Sequence, residues 1–265
     1  GGQLVDQFYI DAYCAITPAT AAERARTAVP LLRDLQDYYR ARGAVFVYVL
    51  TPSKLAAMPE TFRDDMKCAP ETFRRRLSAD YTALVRQAGI AVADTADLVY
   101  GLGGPQGQDM FPVGGVHWNA LGLANAAREV ATEIDRQAGR TLLPPFDFSS
   151  VITNRVEGSD RELFDVFNVL FPPLGYPTPK VTYLQPVACA TSQAATLDAA
   201  IVGSSFMHNI AETLIERACL AKLEMYFYLR QSRSGRSPYS ILQTDLTTAD
   251  LAPLRAAKAM IVEEN

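Results

Sequence analysis

The chain has two histidines, and one of them, His117, stands in Gly114-Gly115-Val116-His117-Trp118-Asn119, just ahead of a predicted helix. Much later, Gly203-Ser204-Ser205-Phe206 closes a short apolar run. Serine with histidine suggests nucleophilic catalysis. A serine hydroxyl is a weak nucleophile at neutral pH and needs an adjacent base. Imidazole is the usual one, because its pKa lies near working pH. His208 follows the serines by three residues on the same predicted helix and points away from a turn serine more easily than toward it. His117 is therefore the expected base, and Ser205 the expected nucleophile. Ser204 is better suited to give a backbone N–H or its hydroxyl to the turn, and it is the expected oxyanion or substrate-binding residue. A donor aimed at a developing oxyanion contributes roughly 3 kcal/mol to acyl transfer elsewhere. Glycine and serine populate turns generally, so neither segment carries the assignment alone. Their joint occurrence at predicted strand ends does.

The elements that must position them follow from periodicity. Leu197 to Val202 reads as a strand, the glycine and serines as a tight turn, and His208 to Leu220 as a helix with Ile210, Leu214 and Ile215 at helical spacing. A serine there sits at a strand's carboxyl end and a helix N-terminus, where free N–H groups hold anions. Asn119 is a plausible N-cap for a helix to about Ala138, with Ala126, Val130 and Ile134 inward. Ala44–Leu50 is a strand apolar on both faces, ending at Thr51-Pro52-Ser53-Lys54. Before it, Thr20 to Glu23 reads as a capping box for a helix to about Gly43. Ala28, Leu31, Leu32, Leu35 and Tyr38 mark its face, and Pro30 is expected to kink or divide it. Pro70 to Ala88 is a second helix with Phe73, Leu77, Leu84 and Ala88 inward; its Arg74-Arg75-Arg76 reads as a solvated face. Short strands are expected at Ile90–Ala93, Val181–Leu184, Leu223–Leu229 and Ala259–Val262, with a short helix at 248–258. The glycine-rich 101–109 stretch lacks the strand–GxGxxG–helix context of a dinucleotide site and reads as loop.

Alternation of helix and strand predicts an α/β fold, a doubly wound, mostly parallel sheet with helices on both faces. No linker or repeat argues for a second domain, so residues 1–265 are expected to form one domain. A proline- and aromatic-rich excursion at about 140–180 holds a short helix near 161–170. Such loops over an α/β scaffold often close a site.

The 265 residues are 49% apolar and 20% charged, with net charge −4, which excludes a nucleic-acid footprint. No 18-residue apolar run or signal-peptide pattern occurs. The chain opens at Gly1-Gly2, which fits a trimmed chain, so a missing leader is no evidence of cytoplasmic residence. Four cysteines (Cys14, Cys68, Cys189, Cys219) lack metal-ligand spacing; buried free thiols and disulfides both fit, and three pairings exist. No metal and no cofactor are expected.

Val202-Gly203-Ser204-Ser205-Phe206 and Val116-His117-Trp118-Asn119 resemble the two signature segments of the alginate O-acetyltransferase type, the AlgX/AlgJ-like branch of the SGNH-hydrolase-like proteins. Thr51-Pro52-Ser53-Lys54 is similar to the family's Pro-x-Lys stretch, Glu157-Gly158-Ser159-Asp160 to its glycine–aspartate turn, and Met260-Ile261-Val262-Glu263 to its closing strand. The resemblance spans about 40–265. It implies a three-layer α/β/α domain that moves acetyl groups through a serine acyl-enzyme onto hydroxyls of a secreted bacterial exopolysaccharide. It further implies a periplasmic place, with tethering to the inner membrane by a segment outside this sequence, and an acetyl donor supplied by a membrane-bound acyltransferase. Ser205 then takes the acetyl group and His117 is base and acid. Lys54, Trp118 and Arg230 or Arg233 line the sugar groove.

One departure stands out. The family commonly carries an aspartate two residues before this histidine, where this chain has Gly115. Asp109, Asp94, Asp97 or a backbone carbonyl are the expected substitutes, failing which the site is a Ser-His dyad. Two competing readings are a carbohydrate acetyl esterase, with water as acceptor, and a non-catalytic polysaccharide-binding protein of the export machinery.

Overall fold

The computed structural model describes residues 4–58, 71–102, 110–166, 175–184, 189, 196–220, 222–227, 231–234, 243–244, 247–248 and 251–265. In chain order the elements are α1 (Gln7–Ala15), α2 (Pro18–Arg40), β1 (Val45–Leu50), α3 (Lys54–Ala57), α4 (Glu71–Gln87), β2 (Val92–Asp94), α5 (Thr95–Leu102), α6 (Ala120–Ala138) and β3 (Phe148–Thr153). They continue with α7 (Glu162–Val166), β4 (Thr178–Tyr183), β5 (Asp198–Gly203), α8 (Phe206–Arg217), β6 (Lys222–Phe227), β7 (Gln231–Ser234), β8 (Gln243–Thr244), α9 (Ala252–Ala256) and β9 (Ala259–Glu264).

The main sheet has the order β2-β1-β9-β5-β6-β7-β8. From β2 to β6 all neighbours are parallel, while β7 and β8 run antiparallel at one edge. The last strand of the chain thus lies at the centre of the five parallel strands, with β1–β2 wound to one side and β5–β6 to the other. Such a switch point leaves a crevice at the carboxyl ends of the strands.

Alternation along β1 explains the layers, since successive side chains face opposite sides. Val45, Val47 and Val49 pack with Val130, Ile134, Ile210 and Leu214 of α6 and α8. Phe46, Tyr48 and Leu50 pack with Leu32 and Tyr39 of α2 and with Tyr81 and Val85 of α4. The result is a three-layer α/β/α fold around a mostly parallel sheet.

Several expectations shift. α2 starts at Pro18, so Thr20 is not its cap, and the helix runs uninterrupted through Pro30. The lost internal hydrogen bond is offset by packing on both sides of the proline, where Ala25, Leu32 and Tyr39 are buried. Leu31 and Leu35 are exposed instead. In α4, Leu84 also faces outward, and Tyr81 and Val85 form the inner face; the side chains of Arg74, Arg75 and Arg76 lie outside the described residues. Gly101 and Leu102 belong to α5, a helix absent from the sequence reading. It begins where the Asp94 carboxylate accepts the Asp97 N–H at 2.9 Å; residues 103–109 lie outside the described set. The strand expected at 181–184 is the end of β4, which pairs antiparallel with β3 in a separate two-stranded sheet.

Cys189 and Cys219 form a disulfide, and Cys14 is disulfide-bonded as well. The free-thiol reading is thereby corrected for these three.

Candidate active site

The strand–turn–helix at β5–α8 forms as its residues require. A Cβ on Gly203 would stand 2.7 Å from Met207 Cγ and 2.8 Å from Glu263 Oε2, so a side chain there would push the turn off the sheet. Ser204 is buried. Its N–H donates to Glu263 Oε2 at 2.6 Å and its hydroxyl to Glu263 Oε1 at 3.0 Å. That oxygen also accepts from the Thr51 hydroxyl at 2.5 Å, tying the loop after β1 to the same carboxylate. Burial pushes the Glu263 carboxyl up, against the lowering effect of these hydrogen bonds. Ser204 therefore supports the turn and has no N–H to spare for substrate, which corrects the expectation that it donates to an oxyanion. Its hydroxyl oxygen does serve the turn, accepting the Phe206 N–H at 3.3 Å. Ser205 stands at the head of α8.

The base loop is built differently. Asn119 caps α6, its carboxamide oxygen accepting from the Leu121 and Gly122 N–H groups, and this fixes the residues just before it. His117 packs edge-on to Phe206, ring centroids 4.7 Å apart, and Trp118 does so at 5.0 Å. His117 Nε2 lies 2.7 Å from Ser205 Oγ. Its Nδ1 lies 2.8 Å from Glu162 Oε2. No motif in the sequence marks Glu162 as the partner of this histidine.

Glu162 begins α7, in the excursion after α6. Its Oε1 also accepts the Val116 and His117 backbone N–H groups, at 2.5 and 3.0 Å. Burial alone would raise this carboxyl; the hydrogen bond and charge of His117, with the two backbone donors, outweigh it and hold the group below its ordinary range. An ionised Glu162 can only accept, so the proton of a neutral His117 sits on Nδ1, and Nε2 is free to accept from the serine hydroxyl.

The two glycines ahead of the histidine explain how α7 reaches this place. A Cβ on Gly114 would stand 2.3 Å from the Phe164 ring. One on Gly115 would stand 1.9 Å from the Ser159 carbonyl oxygen and 2.9 Å from Glu162 Oε1. The Leu163 N–H donates to the Gly114 carbonyl at 2.8 Å, and the Ser159 hydroxyl to the Trp118 carbonyl at 3.0 Å. Glycine at 115 thus makes room for a carboxylate arriving from elsewhere in the chain. Of the expected substitutes, Asp94 and Asp97 sit at the start of α5, and Asp109 lies outside the described residues.

Two expected groove residues are buried. Trp118 is fully enclosed beneath Phe206. Lys54 is 4% exposed, and its ammonium donates to the carbonyls of Leu4 (2.8 Å), Val113 (3.2 Å) and Gly115 (2.7 Å). Burial lowers its pKa to about 7, against the nearby charge of Glu162. Lys54 thus pins the base loop from below, its ammonium committed to three carbonyls, while it also borders a small hollow shared with Val116 and Phe206. Arg230 lies outside the described residues. Arg233 is described only by its backbone, which pairs with Met225. Among the described residues no group of three or more His, Cys, Asp or Glu is placed to hold a metal ion, and no helix is long and apolar enough to cross a membrane.

A family model described as "SGNH hydrolase-like domain, acetyltransferase AlgX" matches residues 8–214. No curated protein sequence matches the chain. Among solved structures, the O-acetyltransferase domain of Pseudomonas putida AlgJ superposes with a TM-score of 0.54 at 20% identity, over 95% of this chain and 85% of that one. Pseudomonas aeruginosa AlgX gives 0.53 at 17%, over 88% of this chain and 55% of its own length. Bacillus cereus PatB1, solved with a sulfonyl adduct, gives 0.51 at 12%, over 91% and 88%. At these identities the likenesses speak for the shared fold.

Proposed function

The chain belongs to the AlgX acetyltransferase family of SGNH hydrolase-like domains, and from that premise we propose that it transfers acetyl groups through Ser205 onto hydroxyls of a secreted bacterial polysaccharide. The observation that carries this reading is the unbroken relay from Ser205 Oγ to His117 Nε2 at 2.7 Å and from His117 Nδ1 to Glu162 at 2.8 Å.

The chemistry follows from these distances. Ser205 Oγ attacks the acetyl carbonyl carbon as His117 Nε2 takes the hydroxyl proton. Glu162 holds the ring in the right tautomer and stabilises the imidazolium. Negative charge gathers on the former carbonyl oxygen, and in this reading the Ser205 N–H at the head of α8 is the backbone donor that meets it. Collapse expels the donor's leaving group, which takes the proton from His117. A sugar hydroxyl then attacks acetyl-Ser205, gives its proton to His117, and leaves acetylated as the proton returns to Oγ.

The acetyl donor comes from a membrane-bound acyltransferase, and the site of action is the periplasm. The disulfide between Cys189 and Cys219 supports an oxidising compartment. The non-catalytic reading rested on Gly115, and Glu162 now fills the role that residue left open. The test is a chromogenic acetyl ester with and without an oligosaccharide. The wild type is expected to form acetyl-Ser205 and to acetylate the sugar. Ser205→Ala should lose both, by roughly 10⁴-fold or more, while keeping its fold and its sugar binding. Brisk ester cleavage that never acetylates any sugar would assign the site to hydrolysis instead.

A further inference from the structure

Successive residues at the end of β9 face opposite sides of the sheet. Glu263 supports the nucleophile turn, whereas Glu264 turns to a cavity of about 150 Å³ on the face covered by α2 and α4. Tyr13, Tyr81, Tyr100, Leu77, Arg24 and Glu264 are among its walls. A smaller hollow of about 30 Å³ touches Val116 and Phe206, the chain neighbours of His117 and Ser205. Ser53 and Asn265 line both spaces, so the cavity neighbours a hollow whose far wall is one residue from each reacting side chain.

The chemistry of the cavity is specific. Tyrosine rings and aliphatic carbon dominate, with a few convergent polar groups, which is the composition of a small-molecule site. A pyranose ring suits it, since its C–H face packs on aromatic rings and its hydroxyls reach planar polar groups. At about half the lower bound for drug-sized pockets, the volume fits one sugar unit. The charge balance selects among sugars. Arg24 is 2.7 Å from Glu264 Oε1, and Glu264 Oε2 accepts the Tyr81 hydroxyl at 2.8 Å and that of Tyr48. The cavity's cation is thus already neutralised. On the wall of that hollow, Lys54 spends its ammonium on three carbonyls. A uronate or phosphate would bring a second negative charge beside Glu264, with no uncommitted cation among the described lining.

We propose that this cavity is an acceptor subsite for an uncharged hexose unit, so that the polysaccharide acetylated is a neutral glycan and not a polyuronate. The proposal rests on the transfer reading for its purpose, but binding tests it without transfer. Calorimetric titration of the whole chain with neutral tetrasaccharides of β-1,4-glucose and β-1,4-mannose, and with a mannuronate tetramer, gives the first readout. A neutral tetramer is expected to bind at least tenfold more tightly than the uronate. Glu264→Gln, which removes the repelling charge and frees Arg24, should shift the preference at least tenfold toward mannuronate. Ser78→Trp, on the cavity wall, should raise the neutral acceptor's KM at least tenfold and leave the acceptor-independent ester cleavage rate unchanged. The proposal is overturned if neither neutral sugar binds more tightly than about 10 mM, if the uronate binds as well, or if Ser78→Trp folds and leaves sugar binding intact. If a neutral tetramer binds there but no sugar is ever acetylated, the transfer reading falls and the subsite stands.

Discussion

The nucleophile turn and the base loop face each other across 2.7 Å, yet they are held by different kinds of scaffold. Ser205 is positioned by contiguous chain: a buried strand, a glycine that lets Glu263 come close, and a helix that starts at once. The carboxylate beneath that turn comes from the central strand, and burial raises it. His117 is positioned by the α6 cap two residues on and by two pieces distant in the chain, the Lys54 ammonium and Glu162 on α7. Its carboxylate is lowered, because four hydrogen-bond and charge interactions outweigh burial. The wound sheet presents the hydroxyl, whereas the excursion after α6 completes the base.

If α7 supplies the base's orienting group, the largest effect after the loss of Ser205 belongs to Glu162→Gln. The amide keeps the shape but offers His117 Nδ1 a donor, or else turns that donor on the Val116 and His117 N–H groups. Ester cleavage and transfer should both fall roughly 10³- to 10⁴-fold, with circular dichroism unchanged. Gly115→Asp restores an aspartate at the family's usual position, but its Cβ would stand 1.9 Å from the Ser159 carbonyl oxygen. Adding it to Glu162→Gln should rescue nothing and should lower the melting temperature. Recovery of activity in the double variant would show that the base loop is free to orient its own histidine.

Lys54→Met attacks the same loop from beneath. Three carbonyls lose their donor, and stability should drop by about 3 kcal/mol in chemical denaturation. The sign of its pH dependence is set by burial. Between about 7 and 10.5 the native amine holds fewer protons than the unfolded chain's. The wild type's stability from this group therefore rises with pH across that window. The methionine variant should lose that slope.

This division also explains what the sequence disclosed. The β5 turn, β1, α6 and its Asn119 cap, and the central α/β winding were readable, because each is written in adjacent residues with a clear period. Ser205 and His117 were readable as residue types at strand and helix ends. Glu162 was not, since a glutamate at the start of a five-residue helix carries no local mark of its partner. The indirect sign was Gly114-Gly115, two side-chain-free positions beside a histidine, which imply that something packs there without saying what. Trp118 resembled a groove residue in the motif, yet packing encloses it, and Lys54 borders a hollow but spends its ammonium on backbone carbonyls. The inner faces of α2 and α4 are rotated by about one residue from the expected ones, because leucines on an exposed face mimic the core period, while Tyr39 and Tyr81 do the packing.

The smallest effect separates the two carboxylates most cleanly. Glu263→Gln keeps an acceptor for Ser204 but puts an amide donor against the Ser204 N–H or the Thr51 hydroxyl, so kcat should fall about tenfold, or 1.4 kcal/mol, with little change in KM. The pH response distinguishes it from Glu162. Glu263 is raised in the folded protein, so the native state holds more protons than the unfolded chain above the ordinary value of 4.5, and this group's contribution to stability falls as pH rises through that region. Glu162 is lowered, so its contribution is complete above 4.5 and is lost as pH falls through the depressed folded value. Stability curves of wild type minus variant should therefore slope downward with pH for Glu263→Gln and upward for Glu162→Gln. Two curves of the same sign would mean that the carboxylates under the nucleophile and behind the base are held alike, against the contrast drawn from their surroundings.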